Sequence, residues 1–187
     1  MNKLLLFSTI LMFMAAPCYC GGKDDFKAAE ELWETFNFEE SMQLYNKALL
    51  TNDLSNDERV AAHYNNALAL FFTAKIKSSI KEINKLLKIN DNHVAAYGLR
   101  ANCWIELGRM KGEDNNHLAF ADWATALALD PDDAITYNDR GYYYEENGQL
   151  DKAIKDIEKY LELEPESPPQ KAFLKRMKCE KNRNFLK

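Results

Sequence analysis

The side chains that could carry chemistry are few and scattered. The chain has three histidines and four cysteines in 187 residues. His117 follows Glu113 and Asp114, and together they supply donor atoms that a divalent metal could use. The Gly112, Asn115 and Asn116 around them describe a solvated loop, so no metal site is assigned there. His63 falls in a helical packing slot, and His93 lies at the boundary between two helical stretches. Cys18 and Cys20 form a Cys-x-Cys pair near the N-terminus. No glycine-rich phosphate loop, no G-x-S-x-G elbow and no H-E-x-x-H pair occurs. The expectation is a protein that is not an enzyme, with no catalytic residue, no cofactor and no metal.

Charge narrows the partners. The formal net charge is -5, unevenly spread. Residues 21–167 hold 28 acidic against 16 basic residues, whereas 168–187 hold seven basic residues and one acid, Glu180. An acidic body lacks the Lys and Arg needed to displace counterions from a phosphate backbone, so no nucleic-acid partner is expected. The basic end reads first as a solvated face and second as a contact for anionic lipid or an acidic partner.

Leu4 to Ala16 is a run of 13 residues in which only Ser8 and Thr9 are polar, preceded by Lys3. That is the pattern of a secretory signal, too short to span a bilayer comfortably. Cleavage after Ala16 would leave Pro17 just beyond the cut. Cleavage after Cys20 leaves the small residues Cys18 and Cys20 at the recognition positions and is preferred. Residues 1–20 are therefore read as a signal peptide. The mature protein would be exported, periplasmic or secreted. Lipidation of Cys20 competes with simple cleavage, since Gly-Gly-Lys-Asp-Asp follows it.

The strongest signal is internal repetition. Residues 96–131 and 136–165 are visibly alike, and each ends a helical pattern in an acid followed by proline, Asp130-Pro131 and Glu164-Pro165. Proline lacks an N–H and disfavours helix in the residue before it, so both are helix stops. Four units can be laid out at 22–55, 60–93, 94–133 and 134–167. One slot on the first helix of each unit holds Ala29, Ala67, Ala101 and Gly141. A slot on the second holds Ser41, Ser79, Ala119 and Ala153. Helices approach closely only where the contact residues are small. Large residues recur as well: Leu32, Leu70, Trp104 and Tyr144 on the first helices, and Tyr45, Ile83, Trp123 and Ile157 on the second. The turn slot holds Gly108 and Gly148 in the last two units but Phe36 and Ala74 in the first two. Ser55 with Glu58 predicts a capping box that starts the second unit's first helix early. The third unit is six residues over length, and the excess, near Arg109–His117, reads as a loop.

This pattern resembles the tetratricopeptide repeat, a 34-residue helix–turn–helix, over residues 22–167. An unrelated helical bundle would share the apolar periodicity but not the joint placement of small, large, glycine and proline slots. The resemblance implies an all-α fold: a right-handed superhelical α-solenoid of about four repeats spanning the array 21–167. The repeats' first helices would line a concave groove. Carried over by position, the groove residues are Phe26, Glu30, Trp33, Tyr64, Leu68, Phe71, Asn102, Ile105, Asn138, Tyr142 and Glu145. The slots used by relatives that grip a C-terminal carboxylate hold Phe26, Glu30 and Asn65 here, which lack positive charge. An extended apolar or basic segment is the better ligand.

Residues 168–187 carry Lys175 in the small slot and so do not make a fifth repeat. Phe173 and Met177, one turn apart, predict a capping helix that shows its basic face to water. At roughly 9 Å per helix layer, Cys103 and Cys179 should stand about 20 Å apart, too far for a disulfide. The function expected from the resemblance is an exported protein-interaction module or assembly scaffold that holds a protein or peptide. The alternative is a membrane-anchored lipoprotein or accessory subunit of an envelope complex. It would touch the membrane through the basic tail or a lipidated Cys20.

Overall fold

The computed structural model describes residues 21–185, with side chains to Arg183; the signal segment 1–20 lies outside the described residues. The described residues form nine helices: α1 (Gly22–Glu34), α2 (Phe38–Leu49), α3 (Asn56–Phe72), α4 (Ile76–Ile89), α5 (Val94–Lys111), α6 (Asn116–Leu129), α7 (Ala134–Glu146), α8 (Leu150–Leu163) and α9 (Pro168–Phe185). No strand occurs among them. The stop signals act where the prolines place them, since α6 ends at Leu129 and α8 at Leu163. Ser55 accepts a hydrogen bond from the Glu58 N–H while Glu58 accepts one from the Ser55 N–H, so α3 begins four residues before Val60. At the other end of that loop, Asp53 accepts the N–H of Gly22 at 2.9 Å and so caps α1 from a distance in sequence.

Each odd-numbered helix packs antiparallel on the even-numbered one that follows it, and the small slots lie at the crossing. Ala29, Ala67, Ala101, Ser41, Ser79, Ala119 and Ala153 are fully buried, and Gly141 is buried with them. A Cβ on Gly141 would stand 2.8 Å from Ile157 Cδ1. The two serines do more than stay small. Ser41 Oγ donates to the Ala29 carbonyl at 3.1 Å, and Ser79 Oγ to the Ala67 carbonyl at 2.7 Å, tying helix to helix inside the core. The large slots fill the space beside them, with Tyr45, Ile83, Trp123 and Ile157 at 0–1% exposure.

The turns close by one device. The N–H of Asn37, Lys75, Glu113 and Gln149 each reaches back five residues, to the carbonyls of Leu32, Leu70, Gly108 and Tyr144. The residue before the donor is left-handed each time: Phe36 at φ 60°, Ala74 at φ 56°, Gly112 at φ 66° and Gly148 at φ 69°. This corrects the placement of the third turn. The left-handed glycine is Gly112, and Gly108 lies inside α5. The six surplus residues are not a loop throughout: α5 has 18 residues where α7 has 13, so Arg109–Lys111 are helical. Gly108 is needed for another reason, because a Cβ there would stand 2.7 Å from the backbone oxygen of Glu113. In the first two repeats, residues with a Cβ adopt the strained conformation. Left-handed backbone costs a non-glycine about 1–2 kcal/mol, against about 0.5–1 kcal/mol for glycine's extra freedom when unfolded. Ala74→Gly is therefore expected to stabilise the fold by about 0.5–1 kcal/mol, read as a higher urea midpoint at unchanged slope.

The odd helices α1, α3, α5 and α7 also touch along the array, whereas the even ones make no comparable contacts with each other. The odd helices therefore form the inner face of the solenoid. Helix α9 follows α8 and buries Phe173 and Met177 against Ala153 and Ile157. Its charge is not simply turned to water. Arg176 pairs with Glu145 at 2.9 Å and Lys178 with Glu158 at 2.7 Å, and Lys181 pairs with Asp151. Much of the basic face therefore docks the helix on the acidic repeat it covers.

A polar pair also crosses each repeat. In the last two it is a fork: Arg100 Nε and Nη2 donate to Asp122 at 2.8 and 2.7 Å, and Arg140 Nε and Nη2 donate to Asp156 at 2.7 and 2.9 Å. Repeat two substitutes His63 Nδ1 with Glu82 Oε2 at 2.8 Å, and repeat one substitutes Lys47 with Asp25 at 2.7 Å. The polarity varies, but each pair ties the first helix of its repeat to the second.

Candidate functional site

The inner face carries two adjoining cavities between α3, α5 and α7. One, of about 130 Å³, is walled by Tyr64, Leu68, Leu99 and Ile135, with Asn102, Asp133, Thr136 and Asp139 supplying its polar side. The other, of about 180 Å³, is lined by Phe71, Asn102, Ile105, Arg109, Tyr142 and Glu146 among others. Asn102 and Asp139 border both. They are joined by a hydrogen bond from Asn102 Nδ2 to Asp139 Oδ2 at 2.7 Å, which spans α5 to α7. A larger cavity of about 540 Å³ lies between α7 and α8, but its walls include the Arg140–Asp156 fork.

The structure thus gathers Tyr64, Leu68, Phe71, Asn102, Ile105 and Tyr142 of the residues carried over by position. Phe26, Glu30, Trp33, Asn138 and Glu145 go elsewhere, and Tyr142 also meets the last helix. Phe26 is buried in the core of the first repeat, its ring 5.9 Å from that of Tyr45. Glu30 is exposed on α1. Trp33 joins an aromatic group at the turns of repeats one and two, 4.9 Å from Phe38 and 6.5 Å from Phe72. Asn138, Tyr142 and Glu145 meet α9. Gln170 donates to Asn138 Oδ1 at 3.2 Å, Phe173 stacks on Tyr142 at 4.4 Å, and Arg176 holds Glu145. Helix α9 therefore takes the place that a further inner helix would occupy and closes the groove at that end.

A profile of the tetratricopeptide repeat matches residues 123–155, which run from α6 to α8. Among solved structures, TTC0263, a tetratricopeptide-repeat protein of Thermus thermophilus, superposes with a TM-score of 0.70 at 18% identity, over 87% of this chain and 84% of its own. The described residues share the fold of tetratricopeptide-repeat proteins, and one copy of the repeat is matched over residues 123–155. MamA of Desulfovibrio magneticus RS-1 is similar at a TM-score of 0.66 and 22% identity, covering 86% of this chain and 85% of that one. YrrB, described as a tetratricopeptide-repeat protein with an unusual peptide-binding site, gives 0.62 and 17%, over 82% and 74% of the two chains. No curated protein matches by sequence.

Within this repeat register, positional carry-over missed Asp133, Ile135, Thr136 and Asp139. It selects one face of each helix in isolation, whereas the smaller cavity is made where α7 leans on α5. The available signal was the adjacency of Asn138 and Asp139, one residue from the chosen slot. The field inside the groove is negative. Arg109 is held by Glu106 and Glu146, which leaves Asp133 and Asp139 facing the smaller cavity without a cation among the described residues. Burial holds the Asp139 carboxyl above the usual carboxylate range, partly offset by the hydrogen bond from Asn102. The Tyr64 phenol is also pushed up, first by burial and then by the charges of Asp133 and Asp139.

Several of the reactive candidates serve as caps or lie in the core. His117 is exposed in the first turn of α6, Glu113 pairs with Lys111, and Asp114 accepts the N–H of Asn116. His93 accepts the N–H of Ala96 through Nδ1 and caps α5, and burial lowers its pKa. Cys103 and Cys179 are free thiols. Cys103 is fully buried and donates to Ser79 Oγ at 3.3 Å; burial pushes its thiol up from 9.0 to about 11. Two pH units mean about a hundredfold less thiolate at pH 8. Peptide-mapped alkylation at pH 8 is expected to label exposed Cys179 at least about a hundredfold faster than Cys103.

Proposed function

We propose that this protein is an exported interaction module or assembly scaffold that holds a segment of another protein in the groove between α3, α5 and α7. One observation carries the reading: two cavities of side-chain size on the inner face, joined through Asn102 and Asp139 and walled by Tyr64, Leu68, Phe71 and Ile105. Aromatic walls offer large contact area at low entropic cost, and the amide and carboxylate can pair with polar groups of a bound segment. YrrB's description as having a peptide-binding site agrees with it. Export rests on the apolar run Leu4–Ala16. Among the described residues no helix is long and apolar enough to cross a membrane.

The test is a pull-down from the source's own envelope and secreted fractions, with wild type beside a Tyr64→Ala/Leu68→Ala variant shown to be folded. A partner held by wild type and lost by the variant supports the groove. A partner held equally by both removes it. The intact mass of the mature protein separates simple cleavage near Cys20 from the membrane-anchored alternative, because a diacyl group on Cys20 would add its own mass.

A further inference from the structure

The smaller cavity has the character of one side chain's receptor. Its walls, Tyr64, Leu68, Leu99 and Ile135, are apolar or aromatic, and its polar side is anionic. At about 130 Å³ it holds several times the roughly 10–15 Å³ that one water needs. A second, independent feature lies in the same wall. Thr136 is 1% exposed, and its hydroxyl has no hydrogen-bond partner. The hydroxyl sits beneath Gly98, 3.5 Å from where a Cβ on that residue would stand. An unsatisfied buried hydroxyl costs about 1–3 kcal/mol, so it stays unpaired only where something compensates. Asp133 Oδ2 is already used to cap α7 through the Thr136 N–H at 3.2 Å. Asp139 is met by Asn102 and by no cation among the described residues.

We propose that this cavity receives a lysine or arginine side chain of the bound segment, its methylene stem against Tyr64, Leu68 and Leu99 and its cationic head between Asp139 and the Thr136 hydroxyl. Long basic side chains join an apolar stem to a charged tip, which is the arrangement the cavity mirrors. The head would give Thr136 the donor it lacks and Asp139 the counter-charge it lacks, and a charge-assisted hydrogen bond is roughly twice as strong as a neutral one. The inference rests on the groove reading and specifies what the groove recognises.

Nα-acetyl-lysine methylamide and Nα-acetyl-arginine methylamide, with the neutral Nα-acetyl-norleucine methylamide as control, are titrated into the isotopically labelled protein. The readouts are the Asn102 side-chain amide and the Thr136 backbone amide. The cationic ligands are expected to shift both signals saturably with a Kd in the millimolar range, about 1–10 mM, and norleucine to bind at least about tenfold more weakly. Asp139→Asn is expected to weaken the cationic ligands at least about tenfold. Thr136→Val should weaken them less. Asp139→Asn also supplies its own folding control. A carboxyl whose pKa is raised in the folded state binds its proton more tightly there than when unfolded. Stability therefore falls as pH rises from the unfolded value to the raised one, and the penalty persists above it. The asparagine variant should be no less stable than wild type at pH 7. Equal binding of norleucine, indifference to Asp139→Asn, or no saturable shift up to about 50 mM would overturn the inference. A partner that needs Tyr64 and Leu68 yet binds Asp139→Asn unchanged would overturn it while leaving the groove reading standing.

Discussion

Asp122→Ala is expected to destabilise the fold by about 3–5 kcal/mol, a large share of the roughly 5–15 kcal/mol that holds a domain together. Asp122 accepts two hydrogen bonds from Arg100 and a third from Trp104 Nε1 at 3.1 Å. Its side chain is 9% exposed and that of Arg100 is 20% exposed. Removing the carboxylate leaves a guanidinium with little water to replace it. Arg100 Nη1 retains Asn84 Oδ1 at 2.6 Å, a neutral acceptor on α4. The cost is a property of the broken pair, not of its absence. Arg100→Met with Asp122→Leu should therefore cost far less than the two single changes added together. Chemical denaturation of the four proteins in a double-mutant cycle measures this. Equal costs for the double and the summed singles would contradict it.

Trp123→Ala is expected to cost a similar 3–5 kcal/mol, for a different reason. Trp123 is 1% exposed and stands between repeats three and four, with ring centroids 5.4 Å from Phe120 and 5.6 Å from Tyr143. Its Nε1 has no hydrogen-bond partner, so the loss is packing alone. In a solenoid each repeat is stabilised by its neighbours, so a cavity at this joint uncouples the last repeat and α9 from the rest. Native-state hydrogen exchange should show amides of α7, α8 and α9 opening at lower free energy than those of α3 and α4. Uniform loss of protection across all helices would mean that the array unfolds as one unit.

The architecture was legible because a close helix crossing tolerates few residue types. Ala29, Ala67, Ala101 and Gly141 opposite Ser41, Ser79, Ala119 and Ala153 report that crossing directly, and every one of them is buried at it. What was not legible came from lengths and neighbours. Gly108 looked like the turn glycine because it shares a position with Gly148. An α5 longer by five residues moves the turn to Gly112, and composition around Glu113 cannot distinguish a longer helix from a longer loop. The basic run after Pro168 read as a solvated face because its partners Glu145, Asp151 and Glu158 are distant in sequence until α8 and α9 are folded together. For the same reason Asn138 and Glu145 were read as groove surface, although α9 engages both. The Arg100–Asp122 and Arg140–Asp156 forks could have been found. Both pairs lie 16 residues apart once the six-residue excess of repeat three is set aside. Asp139 and Thr136 could not, because the cavity they line exists only between two repeats.

The surface between α3, α5 and α7 is proposed to hold the partner. A photoreactive phenylalanine analogue placed at Phe71, which borders the groove cavity of about 180 Å³, tests it most directly. A second is placed at Lys155 on α8, which lies outside the groove. Both proteins are irradiated in the source's own envelope fraction, and crosslinked species are identified by mass. A discrete adduct from position 71, absent from position 155 and suppressed by Tyr64→Ala, is the predicted result. An adduct from position 155 with none from position 71 would place the partner on the outer helices and contradict the account.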